Sequence, residues 1–419
     1  MSGAQVLGFA EALDLVLRHA AQVRPPASEQ VALLASTGRV LAEEVLADRD
    51  QPPFDRATRD GFAVRAEEFT TGQRLRIAGR VRAGEVWAGD PASGWAIEIM
   101  TGAPVPRGAD AVVMLEHVDQ AGGEVWATPG RTVRAGENIV PRASEAHQGD
   151  LLLAPGAAIG AAEIALAASC GCAQLVVHKQ PTVAIVATGD ELVELDQTPH
   201  PHQIRNSNSY ALAAMVQAAG GRAQKLPIAR DTRDDLRGRI TEARGSDLVL
   251  LSGGVSAGKY DLVEDVLAEF GAEFFFTGVR MQPGKPVVFG RLPKSASQQV
   301  SESADGLGWT YFFGLPGNPV STQVTFLCFV QPLLRALCGG RGAGPNFVQA
   351  TLAEDIRAKA GLTRLLPAFL THDLVQPKVR LVGWQGSGDL AANARANCYA
   401  VLPDGQDLRA GDVITVLLR

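Results

Sequence analysis

Three stretches of this chain gather glycines at what look like strand ends, two of them with carboxylates and one with a lysine, as phosphate chemistry requires. Residues 247–267 read DLVLLSGGVSAGKYDLVEDVL, where a β-prone apolar run empties into Gly253-Gly254 and then reaches Ser256, Gly258, Lys259 and Asp261. From Gly253 to Lys259 the letters fit G-x-x-x-x-G-K, the phosphate-cradling P-loop, but Tyr260 stands where that loop needs a Ser or Thr hydroxyl for Mg2+. A nucleotide-hydrolysing P-loop is therefore the weaker reading. The second stretch is Thr188-Gly189-Asp190-Glu191 after VAIVA, and the third runs from Gly314 to Ser321 after YFF, with Pro316 and Pro319. Glycines let backbone N–H groups approach an anion closely, and a following helix N-terminus adds a favourable dipole. An acid beside phosphate is repelled unless a cation stands between them, and Mg2+ suits oxygen ligands. Glu191, Asp231 and Asp261, all expected at ends of strands in one sheet, thus point to a metal-bridged phosphate ligand. Helix capping by Asp190 and Asp261 is the alternative, and it stays open.

Further polar stretches lie elsewhere. QPPFDRATRDGFAVR (51–65) has paired prolines that force an extended entry and then Asp60-Gly61, a turn signal. IMTGAPVPRGADAVV (99–113) couples Thr101-Gly102 to two stiffening prolines. Rigid polar loops of this kind suit a binding cleft without naming its ligand. In PHPHQIRNSNSY, Arg205, Ser207 and Asn208 open a helix, as caps or as ligand contacts. His200 and His202 have no further His or Cys nearby, which argues against a metal site there.

The elements that must position these loops can be read from periodicity. Residues 8–24 read as a helix, with Leu13, Val16, Leu17 and Ala20 on one face. Residues 46–145 change texture into short β-prone runs separated by Gly, Pro and Asp, a β-rich insert, and AAEIALAASCGC then restores helical texture. Residues 1–45 and 146–178 are therefore expected to form one helical linker domain interrupted by the insert. Residues 179–338 alternate strand and helix, the pattern of an α/β/α domain around a parallel-rich sheet. TRDDLRGRITEARG opens with a Thr-x-x-acid capping pattern, and LPKSASQQVSESADGLGW reads as a mobile hairpin loop. Residues 339–419 read as a small C-terminal β domain.

Composition bounds the function. The chain has 419 residues, a net charge of -6 and a pI near 5.7, which argues against a nucleic-acid-gripping surface. The five cysteines are odd in number and scattered, and Cys170-Gly-Cys172 lacks the matching pair of a zinc site. The N-terminus has no signal-peptide order, and no apolar run of about 18 residues is evident for a membrane span. A cytoplasmic location is the expectation.

Taken together, PPFDRATRDGFAV, IMTGAPVP, ATGDEL, QIRNSNSY, SGGVSAGKYD, QPGKPVVFG and GLPGNPVS closely resemble, in order and across nearly the full chain, the molybdopterin molybdenumtransferases, the MoeA family that includes the E domain of gephyrin. The resemblance implies an elongated multidomain α/β subunit with an inserted β-rich domain, a molybdopterin-binding α/β domain and a C-terminal β domain. It implies a homodimer whose active cleft lies between the α/β domain of one subunit and the inserted domain of the other. The implied reaction splits adenylylated molybdopterin with Mg2+ present and inserts molybdate at the dithiolene sulfurs, leaving molybdenum cofactor and AMP. In that comparison Asp60 and Thr101 contribute from the insert and Glu191, Asp231 and Asp261 from the α/β domain, these last three being the candidate Mg2+ ligands. Gly253, Gly254, Ser256, Gly258, Lys259 and Lys285 hold phosphate and oxyanions, with Lys285 also a candidate partner of molybdate. Arg205, Ser207 and Asn208 face them from the helix-start motif, and Pro316 and Pro319 shape the third loop. Implied partners are the molybdopterin adenylyltransferase and apo molybdoenzymes or their chaperones, with no nucleic acid and no membrane. The chain departs from the common family pattern at Thr58-Arg59, at Phe62 where Tyr is usual, and at Gln282 where a lysine is frequent. A gephyrin-like scaffold is the non-enzymatic alternative. The carboxylate set is complete, and the start directly at the first helix favours a stand-alone enzyme.

Overall fold

The computed structural model describes residues 5–70, 73–254, 262–294, 308–342, 344–357, 359–371 and 375–419. The chain forms two compact units. One comprises 1–42, 155–160 and 174–419, and the other 43–154 and 161–173.

In the larger unit, the strands Thr182–Ala187, Leu248–Ser252 and Trp309–Leu315 run parallel side by side, with Arg222–Lys225 added in parallel at one edge. Val288–Pro293 and Glu273–Phe276 extend the other edge antiparallel. The central strands are apolar at almost every position because both faces are covered, as parallel sheets require. Val183, Ile185, Leu248, Leu250, Phe313 and Leu315 pack on one side, and Ala184, Val186, Val249, Leu251 and Phe312 on the other. The first face receives the helices Phe9–Gln22 and Ser207–Ala218 and the rod formed by Pro319–Thr325, a π turn over Phe326–Val330, and Gln331–Leu337. Pro332 has no N–H to give a regular turn, and the wider π turn directly precedes it. The second face receives Arg233–Ala243 and Leu262–Glu269.

The rod Pro319–Leu337 is long and apolar enough to cross a membrane, at 19 residues and a mean hydropathy of 1.2. The sequence reading finds no such run because Ser321, Thr322, Gln323 and Thr325 interrupt it. With Ser321, Thr322 and Thr325 buried beside its apolar positions, the rod is a core helix here.

Residues 347–418 of this unit close into a five-stranded barrel: Thr363–Leu370, Lys378–Leu381, Phe347–Leu352, Val413–Leu418 and Cys398–Leu402, which pairs back with the first. Gly278–Gln282 joins the barrel sheet at Thr363 and Arg364, and Val6–Gly8 pairs with Gly278–Gln282 in turn.

The smaller unit is built on six strands in the order Ala111–Met114, Gly61–Val64, Trp95–Ile99, Leu75–Val81, Glu124–Ala127, Val118–Ala121. The two segments expected to share a helical domain hold the helices Phe9–Gln22 and Ala161–Ser169, which fall in different units. Those segments also contain strands: Ser28–Ala32 pairs with Gln174–His178, and Val45–Leu46 with Leu151–Leu153. Of the expected mobile hairpin loop, the flanking strands pair from Val288↔Gly314 to Pro293↔Trp309, and 295–307 lie outside the described residues.

Candidate active site

The carboxyl ends of the parallel strands border a cavity of about 750 Å³. Its wall includes Glu191, Arg205, Ser207, Asn208, Asp231, Gly253, Gly254, Pro316 and Pro319, so these sequence-selected residues share one concavity. This is where an open α/β sheet collects ligands, because its strands all end there while the chain turns outward.

The glycine turn has a local cause. Gly253 and Gly254 adopt φ of +95° and +65°, which only glycine takes readily. A Cβ on Gly253 would lie 2.4 Å from the Thr188 carbonyl oxygen, and one on Gly254 would lie 2.8 Å from Val263 Cγ2. The Gly253 N–H donates to Leu315 O at 3.2 Å and the Thr188 N–H to Ser252 O at 3.0 Å, stitching three strand ends into one floor.

Beyond Thr188 the chain does not enter a helix at once. It turns at Gly189–Leu192, runs through Leu192–Val193 and Ile204–Arg205, which pair in parallel, and starts its helix at Ser207. Asp190 is accordingly not a helix cap. Its Oδ1 accepts from the Asp231 N–H at 3.3 Å, while the Asp190 N–H donates to Asp231 Oδ2 at 3.4 Å. The Thr188 hydroxyl donates to Asp231 Oδ1 at 2.6 Å. Thr232, the next residue, caps the following helix by accepting from the Asp235 N–H, as the Thr-x-x-acid pattern indicates. Asp231 therefore stands at the lip of the cavity with both oxygens oriented.

Asn206, not Arg205 or Ser207, caps the helix Ser207–Ala218, its side chain accepting from the Ser209 N–H at 3.2 Å. Arg205 instead donates from Nε to Leu195 O at 3.2 Å. Asn208 gives both amide hydrogens away, to Gly317 O at 2.7 Å and Ser252 Oγ at 2.9 Å. A backbone carbonyl accepts only, so Nδ2 is fixed on that side and Oδ1 is the acceptor left over. Ser252 and Asn318, which lie in the loops chosen from sequence without a role of their own, also border the cavity, as do two residues that sequence reasoning passed over, Gly388 and Leu390. The last two come from the C-terminal barrel region, drawn in where Asn318 Nδ2 donates to Ser387 Oγ at 2.9 Å and the Val320 N–H to Ser387 O at 3.0 Å. The Gly386-Ser387-Gly388-Asp389 run was their only signal.

Ser256, Gly258, Lys259 and Asp261 lie outside the described residues, and so does the G-x-x-x-x-G-K match beyond Gly254. Lys285 is exposed and is not part of the cavity wall, which its neighbour Pro286 joins. Gln282 accepts from Lys359 Nζ at 3.4 Å. Among the described residues no three His, Cys, Asp or Glu side chains cluster for a metal, and His200 and His202 stack on each other at 6.1 Å.

Asp60 and Thr101 meet in the smaller unit. The Thr101 N–H and hydroxyl both donate to Asp60 Oδ1, at 2.7 and 2.8 Å. These bonds, the backbone one first, hold the Asp60 carboxyl below the usual carboxylate range. The loop carrying Thr101 is stitched to the one carrying Asp60 by the Gly102 N–H to Ala57 O at 2.8 Å and the Val105 N–H to Asp55 O at 2.8 Å. Asp60-Gly61, read as a turn, is instead a bend that starts a strand. Gly61 pairs with Met114, and a Cβ there would sit 1.8 Å from Val113 O. Close backbone approach, not a positive φ, demands this glycine.

The chain matches three family models: the MoeA N-terminal region (domains I and II) over residues 7–171, a probable molybdopterin binding domain over 184–336, and the MoeA C-terminal region (domain IV) over 349–418. It is 35% identical to a molybdopterin molybdenumtransferase of Nostoc sp., over 93% of this chain and 88% of that protein. A protein of the same name from Staphylococcus aureus is 33% identical over 93% of this chain and 90% of its own. A solved structure of a molybdopterin biosynthesis MoeA protein from Pyrococcus horikoshii superposes with a TM-score of 0.76 at 25% identity, covering 99% of this chain and 100% of that one.

Proposed function

The chain belongs to the MoeA family of molybdopterin molybdenumtransferases, transferases of molybdenum cofactor biosynthesis, and from that premise we propose that it inserts molybdate into adenylylated molybdopterin and releases AMP. One observation carries this reading: the oriented carboxylate of Asp231, with Glu191, borders the same cavity as the positive-φ glycine turn. A phosphoanhydride seated there has backbone and side-chain dipoles along its oxygens and acids at its rim. An oxygen nucleophile adds at phosphorus, the P–O bond to AMP breaks, and AMP leaves with the bonding electrons. Molybdate then takes both dithiolene sulfurs as ligands, one of its oxygens leaving as water with the two thiol protons.

The donor set is oxygen only, which fits a hard divalent cation such as Mg2+. Glu191 and Asp231 would hold it, joined in the proposal by Asp261. When bound, the ion offsets the negative charge of anhydride and acids together. The protein's own contributions are orientation of Asp231 by its hydrogen bonds, shaping of the rim by Pro316 and Pro319, and the leftover Asn208 acceptor facing the ligand's donors. Gly253 and Gly254, with Ser256, Gly258 and Lys259, would hold the phosphate and oxyanion groups, Lys285 would reach them from outside the cavity wall, and Ser207 is part of that wall.

We further propose that the working form is a homodimer in which Asp60 and Thr101 of one subunit complete the cleft of the other. The adenylylated substrate comes from an adenylyltransferase, and apo molybdoenzymes accept the product.

Incubation of purified protein with adenylylated molybdopterin, molybdate and Mg2+ tests the reaction, with AMP release and reconstitution of an apo molybdoenzyme as readouts. Asp60→Ala and Glu191→Ala should each block release while leaving the fold intact. Mixed and re-equilibrated, the two variants should recover roughly a quarter of wild-type activity, because half the dimers are mixed and each carries one intact cleft. Wild-type release in both single variants would overturn the mechanism. Absent recovery on mixing would overturn the shared cleft.

A further inference from the structure

We propose that Thr188 is a positioning residue that locks Asp231 to the glycine turn, so that the acid and the phosphate cradle are held as one rigid piece. The inference deepens the reading above and rests on it. Thr188 is 3% exposed, and its hydroxyl makes the shortest contact to Asp231, 2.6 Å to Oδ1. Hydroxyl-to-carboxylate bonds of this length are charge-assisted and roughly twice as strong as neutral ones. The opposite oxygen is held more loosely, at 3.4 Å from the Asp190 N–H. Thr188 thus sets the rotation of the carboxylate.

The same residue defines the glycine turn. Its N–H donates to Ser252 O, its carbonyl oxygen occupies the space a Gly253 Cβ would take, and its Cγ2 lies 3.0 Å from where a Gly254 Cβ would be. It also bridges in parallel to Ala229, two residues before Asp231. One side chain therefore stands between both sides of the proposed chemistry through different atoms: its hydroxyl bonds the acid, and its methyl crowds the space a Gly254 Cβ would need. Substitution at the hydroxyl separates the two roles, since valine keeps the methyl contact and removes only the donor.

The consequence concerns cation binding rather than folding. An acid free to rotate presents its oxygens to a cation with poorer geometry, and loss of a partner that orients a metal ligand costs on the order of 10- to 100-fold in affinity or activity. In Thr188→Val the concentration of Mg2+ giving half-maximal AMP release should rise by about that factor, with the KM for adenylylated molybdopterin changed far less. Thr188→Ser, which restores the hydroxyl, should return the Mg2+ dependence to within a few-fold of wild type. Mn2+ binding in the presence of adenylylated molybdopterin, followed by electron paramagnetic resonance of the free ion, should weaken in parallel, independently of turnover.

Asp231→Asn distinguishes the two levels of the argument. If it leaves AMP release untouched, the function assigned to the acid fails. If it abolishes release while Thr188→Val matches wild type in both Mg2+ and Mn2+ titrations, the positioning role fails. Equal losses in Thr188→Val and Thr188→Ser would also overturn it, because the hydroxyl would then not be the cause. Melting curves accompany each variant, and Thr188→Ala, smaller than the native residue, replaces the valine form if that form melts early.

Discussion

Replacing Gly253 by alanine tests the geometry of the cavity floor directly. The backbone there has φ +95°, and holding an L-residue in the left-handed region costs roughly 1–2 kcal/mol. The new methyl would start 2.4 Å from the Thr188 carbonyl oxygen, a fixed backbone atom that cannot swing aside. Relief requires the turn to move outward, at an overpacking cost of about 1–3 kcal/mol. That movement pulls the Gly253 N–H from Leu315 O, a bond of 3.2 Å whose loss adds about 1 kcal/mol. The unfolded chain, less free with alanine, offsets some 0.4–1 kcal/mol. The balance is a destabilisation of about 2–5.5 kcal/mol, or a fall of roughly 3–9 °C in the melting transition of the larger unit. Differential scanning calorimetry reads it. Gly238→Ala is the matched control: it lies within the helix Arg233–Ala243 with open space around a Cβ and no positive φ, so it should raise stability by about 0.5–1 kcal/mol. A Gly253→Ala protein melting within about 2 °C of wild type would refute the claim that the turn is closed by backbone contact.

Two further outcomes follow from the titrating groups. Asp60 has its folded-state carboxyl lowered by Thr101, so its contribution to stability is present above the ordinary carboxylate value near pH 4 and is lost as pH falls through the lowered one. The melting difference between wild type and Asp60→Asn should accordingly be constant from about pH 5 to 7 and shrink below about pH 4; a difference that grows in acid would contradict the assignment. The second concerns the five thiols, all unpaired. Burial pushes Cys338 up to about 12 and Cys398 up to about 11, and Cys328 and Cys172 are raised as well. A thiol reagent at pH 8 should label the native protein slowly at every one of these four positions and rapidly only after denaturation. Fast native labelling of Cys328, mapped by mass spectrometry, would show that its helix opens.

Local chemistry made much of this legible. Apolar runs such as PTVAIVATG and DLVLLSGG announce buried strands because a sheet covered on both faces has no polar side, and Thr232 and the prolines after Leu315 mark helix starts by their capping chemistry. Long-range closeness was harder to see. Gly61 looks like a turn glycine until the Val113 carbonyl is found in the place its Cβ would need. Asp190 resembles a cap, but no helix follows it, and its partner is Asp231, 41 residues away. Gly388 and Leu390 reach the cavity only because the Pro319 helix start is tied to Ser387, a pairing no spacing reveals. Residues 1–45 and 146–178 read as helical because the Phe9–Gln22 and Ala161–Ser169 patterns are strong, whereas the short strands beside them pair with distant partners and carry little pattern of their own.

The C-terminal barrel has a consequence for how this protein behaves at high concentration. Because Cys398–Leu402 returns to Thr363–Leu370, the sheet closes on itself, and among the described residues each of its five strands has a paired neighbour on both sides, although Phe347–Leu352 meets Lys378–Leu381 only at Thr351 and Leu352. Where an open sheet of the same length would be a template for fibre growth, a ring gives an incoming chain far less to extend. The one additional run on that sheet ends in Val6–Gly8, three residues long, too short to seed such growth.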